Sequence, residues 1–198
     1  KISLNLRPES IVQEVEQSLR RLQTDYLDLY QCHWPDPRTP LEDTLSALVR
    51  LREQGMVRYL GVSNFNAALL ASAADQAGIL TLQGPYSLLD RGVEAEILPL
   101  CVNRGIGYLA YGPLAGGILT GKYREPPQFP RSDPRSFFYK YYTGERFAQA
   151  QDVLAALNEI GQPLNQVAIN WVRQQPGVVS VDRKSTRLNS SHVSQTRM

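Results

Sequence analysis

The chain has 198 residues, 42% of them hydrophobic, enough for one sizeable core but short of the roughly 250 residues of a complete eight-stranded α/β barrel. Its formal charge of +2 comes from residues 182–198, because the preceding residues carry 17 basic and 18 acidic side chains, which excludes the basic surface of a nucleic-acid or anionic-membrane binder. No apolar run is long enough to span a bilayer, and two cysteines without metal-site spacing indicate a reduced, cytoplasmic protein.

The first predicted elements are a helix and a strand. Pro8 suits the first position of a helix. The apolar residues that follow share one helical face: Ile11, Val15, Leu19 and Leu22. The run LDLYQCHW at 27–34 predicts the first strand. The next helix follows Thr39-x-x-Glu42, a pattern typical of a capping box, and has an apolar stripe at Leu45, Leu48 and Leu51.

A glycine followed by an apolar, β-branched run then recurs three times: Gly55-MVRYLGVSN, Gly78-ILTLQGPYS and Gly105-IGYLAYGPL. Glycine just past a helix adopts the left-handed conformation, and the buried run after it indicates a parallel strand. Further helices are predicted near 66–77, 93–103, 145–160 and 164–174, before a short VVSV strand. This alternation predicts an α/β fold with five parallel strands and no room for eight.

Two segments depart from this rhythm. Residues 114–144 are rich in Pro, Gly, Arg and aromatic residues, which predicts a long loop of the kind usually tied to function. The stretch DRKSTRLNSSH at 182–192 matches the conceptual translation of a common sequencing-library adapter. We therefore expect 1–181 to form the folded unit and 182–198 to be a non-native tail, the alternative being a genuine polar C-terminus. His33 is then the only credible candidate among the two histidines.

Polar side chains stand where the predicted strands end. They are His33, Ser63, Asn64, Gln83, Tyr86 and Tyr111. In an α/β barrel the active site lies at the carboxyl ends of the strands, so these side chains are expected to converge. Hydroxyls, amides and an imidazole without a carboxylate pair or a Cys/His metal set suit a flat heteroaromatic cofactor better than hydrolysis.

These residues lie in motifs that resemble successive motifs of the aldo-keto reductases. The motifs are RRLQTDYLDLYQCHWPD, VRYLGVSNF, LQGPYSLLDR and GYLAYGPLAGGILTGKY, and the resemblance runs from about Arg7 to Val181. It implies an incomplete (β/α)8 TIM barrel, with about strands 4 to 8 present. It also implies NADP(H) bound in an extended pose without a Rossmann fold and a small carbonyl compound as substrate. The absence of a G-x-G-x-x-G motif agrees with this.

The resemblance also assigns roles. His33 resembles the active-site histidine, which orients the carbonyl and assists proton delivery. Ser63, Asn64 and Gln83 resemble the trio that holds the nicotinamide carboxamide, and Tyr111 resembles the aromatic residue that stacks on the ring. The remaining cofactor-binding candidates lie along the pyrophosphate: Gly112, Pro113, Leu114 and Lys122, with Arg131 as a second phosphate candidate.

Each candidate also has an ordinary structural interpretation. His33 could be a satisfied structural histidine, Gln83 a satisfied amide inside the barrel, and Tyr111 a packing residue of the core. Ser63-Asn64 could cap the next helix. Cys32, beside His33, is better explained as a small buried hydrophobe than as a nucleophile, and the Tyr139–Tyr142 cluster as loop packing.

The family's catalytic tyrosine, its aspartate and its lysine are not matched in this sequence, and we expect them before Lys1. The chain as written is therefore expected to be an inactive fragment with an open sheet edge. Two functions stay open: an NADPH-dependent carbonyl reductase, and a nucleotide-binding regulatory subunit similar to the potassium-channel β subunits. Those subunits carry Asn where His33 stands, which favours the enzyme.

Overall fold

The computed structural model describes residues 4–130, 133, 135 and 139–182, in which helices and strands alternate. The elements are α1 (Pro8–Leu22), β1 (Leu27–Cys32), α2 (Leu41–Glu53), β2 (Val57–Ser63), α3 (Ala67–Ala77), β3 (Thr81–Pro85), α4 (Ile97–Arg104), β4 (Gly107–Tyr111), α5 (Gly144–Asn158), α6 (Leu164–Arg173) and β5 (Val178–Asp182). Short 3-10 helices span Gly92–Glu94 and Ala115–Thr120. Residues 183–198 of the proposed tail and Arg131 lie outside the described residues, while Asp182, the first residue of that tail, ends β5.

The five strands form one parallel sheet in the order β1-β2-β3-β4-β5, as the sequence predicted. Because each strand pairs with the next one along the chain, the sheet has the arrangement of an incomplete (β/α)8 barrel. Alternation along the strands gives the sheet two faces. One face packs against the helices. The other, called here the inner face, carries Leu29, Tyr59 and Val179, which are 37%, 53% and 65% exposed.

The buried apolar residues form two clusters. The first, the sheet core, lies between the sheet and helices α1–α4 and includes Ile11, Val15, Leu48, Leu60, Val62, Leu82 and Tyr108. The second, the loop core, joins the segment after β4 to α5 and α6. Its buried members are Leu114, Ala115, Ile118, Leu119, Tyr142, Phe147, Ala150, Leu154, Leu157 and Ala168. None of the helices in the described residues is both long and apolar enough to cross a membrane.

Most of the predicted helix ends are confirmed, and two predictions of local structure are wrong. Pro8 opens α1, and the three glycines that follow helical segments have positive φ: +75° at Gly55, +63° at Gly78 and +64° at Gly105. The helix predicted at 93–103 begins only at Ile97, after a 3-10 turn.

The predicted capping box is also wrong. Pro40, not Thr39, precedes α2, and no side chain caps that helix. Thr39 lies one residue before the capping position, and its hydroxyl donates to Asp36 Oδ2 at 3.0 Å. Helix α3 is capped by Asn66, whose Oδ1 accepts from the Leu69 N–H at 2.9 Å. Ser63-Asn64 therefore does not cap this helix.

Candidate active site

The predicted polar residues lie at the carboxyl ends of four neighbouring strands. His33 follows β1, Ser63 ends β2, and Tyr111 ends β4, while Gln83 lies within β3. Asn64 comes directly after β2, and its backbone N–H donates to the Gln83 carbonyl at 2.9 Å. Since parallel strands end at the same edge of a sheet, the fold brings these five residues to one place.

Asn64 is the centre of this group. Its amide nitrogen donates to the His33 carbonyl at 2.9 Å and to Ser63 Oγ at 3.0 Å. Its amide oxygen accepts from the Tyr111 hydroxyl at 2.9 Å. The backbone at Asn64 is left-handed, with φ +61°, a conformation that Asn tolerates better than most residues. Both amide hydrogens are used within the protein, so Asn64 can offer a ligand only its oxygen.

Gln83 offers the complementary group. Its Oε1 accepts from Gln31 Nε2 at 3.1 Å, and Gln31 Oε1 in turn accepts from the Thr81 hydroxyl at 2.8 Å. This part of the site agrees with the interpretation of Gln83 as a satisfied interior amide. Within the described part of the chain, however, Gln83 Nε2 makes no hydrogen bond, and Gln83 is half-buried at the edge of the site. Its N–H groups can therefore donate to a ligand.

Gln31 and Thr81 were not predicted from the sequence. Gln31 lies two residues before His33 in β1, and alternation along the strand puts its side chain on the inner face. Gly61, its partner in β2, leaves room for it, because a Cβ there would lie 2.8 Å from Gln31 Oε1. The available signal in the sequence was a polar residue two positions before His33, which strand alternation places on the same face as His33.

His33 is exposed and directly follows β1, the strand at the outer edge of the sheet. Its ring centroid lies 6.3 Å from that of Trp34, at an angle of 48°. The contact that fixes it to the rest of the site is made by its carbonyl, which accepts from Asn64. The imidazole itself remains accessible, as a group that meets a substrate must be.

Tyr111 is half-buried beside Asn64 and is not one of the buried core residues. Burial raises the pKa of its hydroxyl to about 12, with smaller contributions from Tyr139 and Asp90. The hydroxyl is therefore protonated at neutral pH and acts as the donor to Asn64. Tyr111 combines an aromatic ring at the site with a fixed hydrogen bond.

The segment after Tyr111 turns sharply. Gly112, Gly116 and Gly117 all have positive φ, and Pro113 and Leu114 are buried. Lys122 is exposed. Its ammonium lies 4.7 Å from the centre of the Tyr123 ring and 3.7 Å from where a Cβ on Gly117 would be. Among the described residues, no hydrogen bond or ion pair joins Lys122 to the Asn64 group.

Two further predictions concern residues near the site. Cys32 is 3% exposed, and burial, reinforced by Glu14, raises the pKa of its thiol to about 12, so it behaves as the predicted buried hydrophobe rather than a nucleophile. Tyr142 is buried in the loop core, which confirms loop packing there. The described residues contain no group of three or more His, Cys, Asp and Glu that could hold a metal ion.

The free groups at this edge include the kinds of donor and acceptor that a primary carboxamide, such as that of nicotinamide, would need. A primary carboxamide has one acceptor oxygen and two donor hydrogens. Asn64 Oδ1 can accept from it and Gln83 Nε2 can donate to it, with the Tyr111 ring adjacent. The site thus provides both halves of a carboxamide contact, together with an accessible imidazole at His33.

The chain belongs to the Aldo/keto reductase family, whose sequence profile matches residues 1–191. It is 39% identical to aldo-keto reductase YhdN of Bacillus subtilis (strain 168) over 175 residues, 84% of this chain and 52% of that protein. It is 37% identical to a probable voltage-gated potassium channel subunit beta of Arabidopsis thaliana over 196 residues, 92% of this chain and 59% of that one.

A solved structure supports the same fold. The glycerol dehydrogenase AKR11B4 from Gluconobacter oxydans superposes with a TM-score of 0.84 at 34% identity, covering 91% of this chain and 56% of that chain. The chain thus spans a little over half the length of these relatives. The roles assigned to His33, Ser63, Asn64, Gln83, Tyr111 and the Gly112–Lys122 segment, and the boundary near residue 181, stay predictions.

Proposed function

We propose that the protein to which this chain belongs reduces aldehydes or ketones to alcohols with NADPH. The observation that carries the proposal is the group of hydrogen bonds that Asn64 makes with His33, Ser63 and Tyr111 at one edge of the sheet. Membership of the Aldo/keto reductase family supports oxidoreductase chemistry at this place. A bound nicotinamide would supply the hydride.

The residues of this chain would bind and orient the reactants. Asn64 Oδ1 and Gln83 Nε2 would hold the carboxamide, which prevents the ring from rotating. The Tyr111 ring would cover one face of the nicotinamide and keep water from it, while the other face stays open to the substrate. His33 would donate a hydrogen bond to the carbonyl oxygen and so orient the bond to be reduced. The backbone of Gly112–Leu114 and the side chain of Lys122 would bind the phosphates of the cofactor.

Catalysis would also need a proton donor that is not among these 198 residues. The proton for the carbonyl oxygen would come from a tyrosine before Lys1, so the 198 residues alone would not reduce a carbonyl. NADPH is the cofactor that the family resemblance favours. One relative, 42% identical over 120 residues, is an NADH-specific methylglyoxal reductase of Escherichia coli, so both cofactors belong in the test. A small carbonyl substrate and a cytoplasmic location stay predictions.

Replacing His33 in the complete protein tests this proposal. We expect His33→Ala to lower kcat/KM for carbonyl substrates about 10²-fold or more, because a hydrogen-bond donor aimed at the oxygen that gains charge in the transition state contributes about that much. The dissociation constant of NADPH, measured by fluorescence titration, should stay close to that of the wild type. Equal losses of turnover and of cofactor affinity would show that His33 is structural.

A regulatory subunit is the second candidate. The observation in its favour is the 37% identity with the potassium channel subunit beta over 92% of this chain. On that alternative the Asn64 group would hold the nucleotide, and the protein would act through a partner. The histidine at position 33 supports the enzyme. Tight NADPH binding without turnover of any carbonyl compound in a broad panel would favour the subunit, and His33→Asn would then change nothing.

A further inference from the structure

Three strand ends are joined by one chain of hydrogen bonds. The Tyr111 hydroxyl, at the end of β4, donates to Asn64 Oδ1 at 2.9 Å. The Asn64 amide nitrogen, after β2, donates to the carbonyl of His33, after β1, at 2.9 Å. These hydrogen bonds therefore connect Tyr111, whose ring is expected to lie against the cofactor, with the main chain of His33, which is expected to meet the substrate.

The planar amide of Asn64 couples the hydrogen bond from Tyr111 to the hydrogen bond to His33. Because the amide is planar, fixing the oxygen also fixes the direction of the two N–H groups. The hydroxyl of Tyr111 fixes the oxygen, and the N–H groups are then aimed at His33 and Ser63. His33 is exposed just past the end of β1, the edge strand of the sheet. Among the described residues, the hydrogen bond from Asn64 ties its main chain to the next strand end.

We propose that the Tyr111 hydroxyl and the Asn64 amide are positioning groups that hold His33, so that Tyr111 affects the substrate side of the site as well as the cofactor side. This inference rests on the proposed function. Tyr111 and Asn64 act through His33 in this role, while the ring of Tyr111 and Asn64 Oδ1 keep their separate contacts with the cofactor.

Tyr111→Phe separates the two roles, because phenylalanine keeps the ring and loses only the hydroxyl. Without that donor the Asn64 amide can rotate, and its bond to His33 weakens. In the complete protein we expect kcat for carbonyl reduction to fall about fivefold to tenfold, the effect of one neutral hydrogen bond. The dissociation constant of NADPH should rise less than kcat falls, because the stacking surface and the Gln83 donor remain and only the Asn64 Oδ1 contact is loosened.

A double-mutant cycle measures whether the effect passes through His33. In a His33→Ala background, Tyr111→Phe should lower kcat little further, since the residue that it positions is already gone. Tyr108→Phe is the matched control. The hydroxyl of Tyr108 likewise makes one hydrogen bond, to the main-chain carbonyl of Pro85 at 3.1 Å, but Tyr108 lies on the helix-facing side of β4. Its effect should be independent of His33. Additive losses from Tyr111→Phe and His33→Ala would overturn the proposal.

A spectroscopic measurement tests the positioning without any turnover. In ¹⁵N-labelled complete protein, the imidazole and backbone signals of His33 should shift on Tyr111→Phe and stay in place on Tyr108→Phe. Unchanged His33 signals in Tyr111→Phe would overturn the positioning role whether or not the protein is a reductase. Shifted signals in a protein that reduces no carbonyl compound would keep the positioning role and contradict only the proposed function.

Discussion

The sheet core and the loop core stabilise their backbones in different ways. In the sheet core, strands β1–β5 pair with one another and helices cover one face, so backbone hydrogen bonds are made by regular structure. In the described residues between β4 and α5, side chains supply some of the hydrogen-bond partners of the backbone. The Tyr142 hydroxyl donates to the Gly116 carbonyl at 2.7 Å, and Gln151 Nε2 donates to the Tyr123 carbonyl at 3.2 Å. Buried backbone groups need partners in either case.

The aromatic packing differs in the same way. Tyr142 meets Phe129 edge-to-face at 4.7 Å and Tyr123 at 5.6 Å, so three rings pack together within the segment that joins β4 to α5. A few specific contacts therefore stabilise that segment, whereas a regular series of equivalent backbone hydrogen bonds stabilises the sheet. We expect the sheet core to unfold as one cooperative unit and the loop core to open locally at lower free energy. This difference can be tested.

The largest effect is expected from Leu60→Ala. Leu60 is completely buried in the middle of the sheet core, and removing it should lower the free energy of unfolding of the complete protein by about 2–5 kcal/mol. Denaturant unfolding measures this loss, and amide exchange should accelerate in all five strands. Leu119→Ala removes an equally buried leucine from the loop core and should accelerate exchange chiefly after β4. The same exchange pattern in both variants would show that the two cores unfold together.

The difference between the regions also explains what could be predicted from the sequence. Helices and strands of the sheet core were predictable because apolar spacing is local, and because Gly55, Gly78 and Gly105 stand where helices end. The contact of Tyr142 with Gly116 joins residues far apart in sequence, in a segment without periodicity. Nothing in the local pattern selects that pair over others.

The candidate site divides in the same manner. That His33, Asn64 and Tyr111 would meet follows from parallel strands ending at one edge. The pattern of hydrogen bonds among them does not follow from this, because it depends on the strand register and on the left-handed backbone of Asn64. Thr39 shows the same limit: its spacing from Glu42 predicts a capping box, but the helix begins one residue later than that pattern requires.

A smaller effect should come from Gly116→Ala. Gly116 has φ +71°, and a Cβ there would lie 2.5 Å from the Tyr142 hydroxyl and 2.7 Å from the Tyr139 ring. Gly105 is the matched control, because it has φ +64° with no atom within 4 Å of its Cβ position. Gly105→Ala should cost only the backbone strain, about 1 kcal/mol. Gly116→Ala should cost about 2–3 kcal/mol, since overpacking is added.

Amide hydrogen exchange and limited proteolysis show which part of the structure each glycine substitution destabilises. Gly116→Ala should expose the segment after β4 to protease and accelerate its amide exchange while the strands stay protected. Gly105→Ala should lower stability without opening that segment. Equal costs for the two substitutions would mean that the tyrosines move aside freely and do not hold the segment.

The smallest effect is expected at Asp36. In the loop after His33, beside the sheet core, its side chain makes hydrogen bonds with backbone groups, as side chains do in the loop core. Its side chain is 2% exposed and accepts from the Leu6 N–H at 3.2 Å, the Arg38 N–H at 3.1 Å and the Thr39 hydroxyl. Burial alone would raise the pKa of Asp36, but these hydrogen bonds outweigh it and lower the pKa to about 2. The ionised carboxylate is thus stabilised in the folded protein.

The sign of the pH dependence follows from this lowered pKa. A folded pKa of about 2, below the value near 4 of an unfolded chain, gives stability that is complete above pH 4 and is lost as the pH falls toward 2. Asp36→Asn should therefore cost about 1–2 kcal/mol at pH 7 and much less at pH 2.5. Denaturant unfolding of both proteins at the two pH values measures it. An equal cost at both values would mean that shape rather than charge makes Asp36 effective, and the loop that follows His33 would then be held by packing alone.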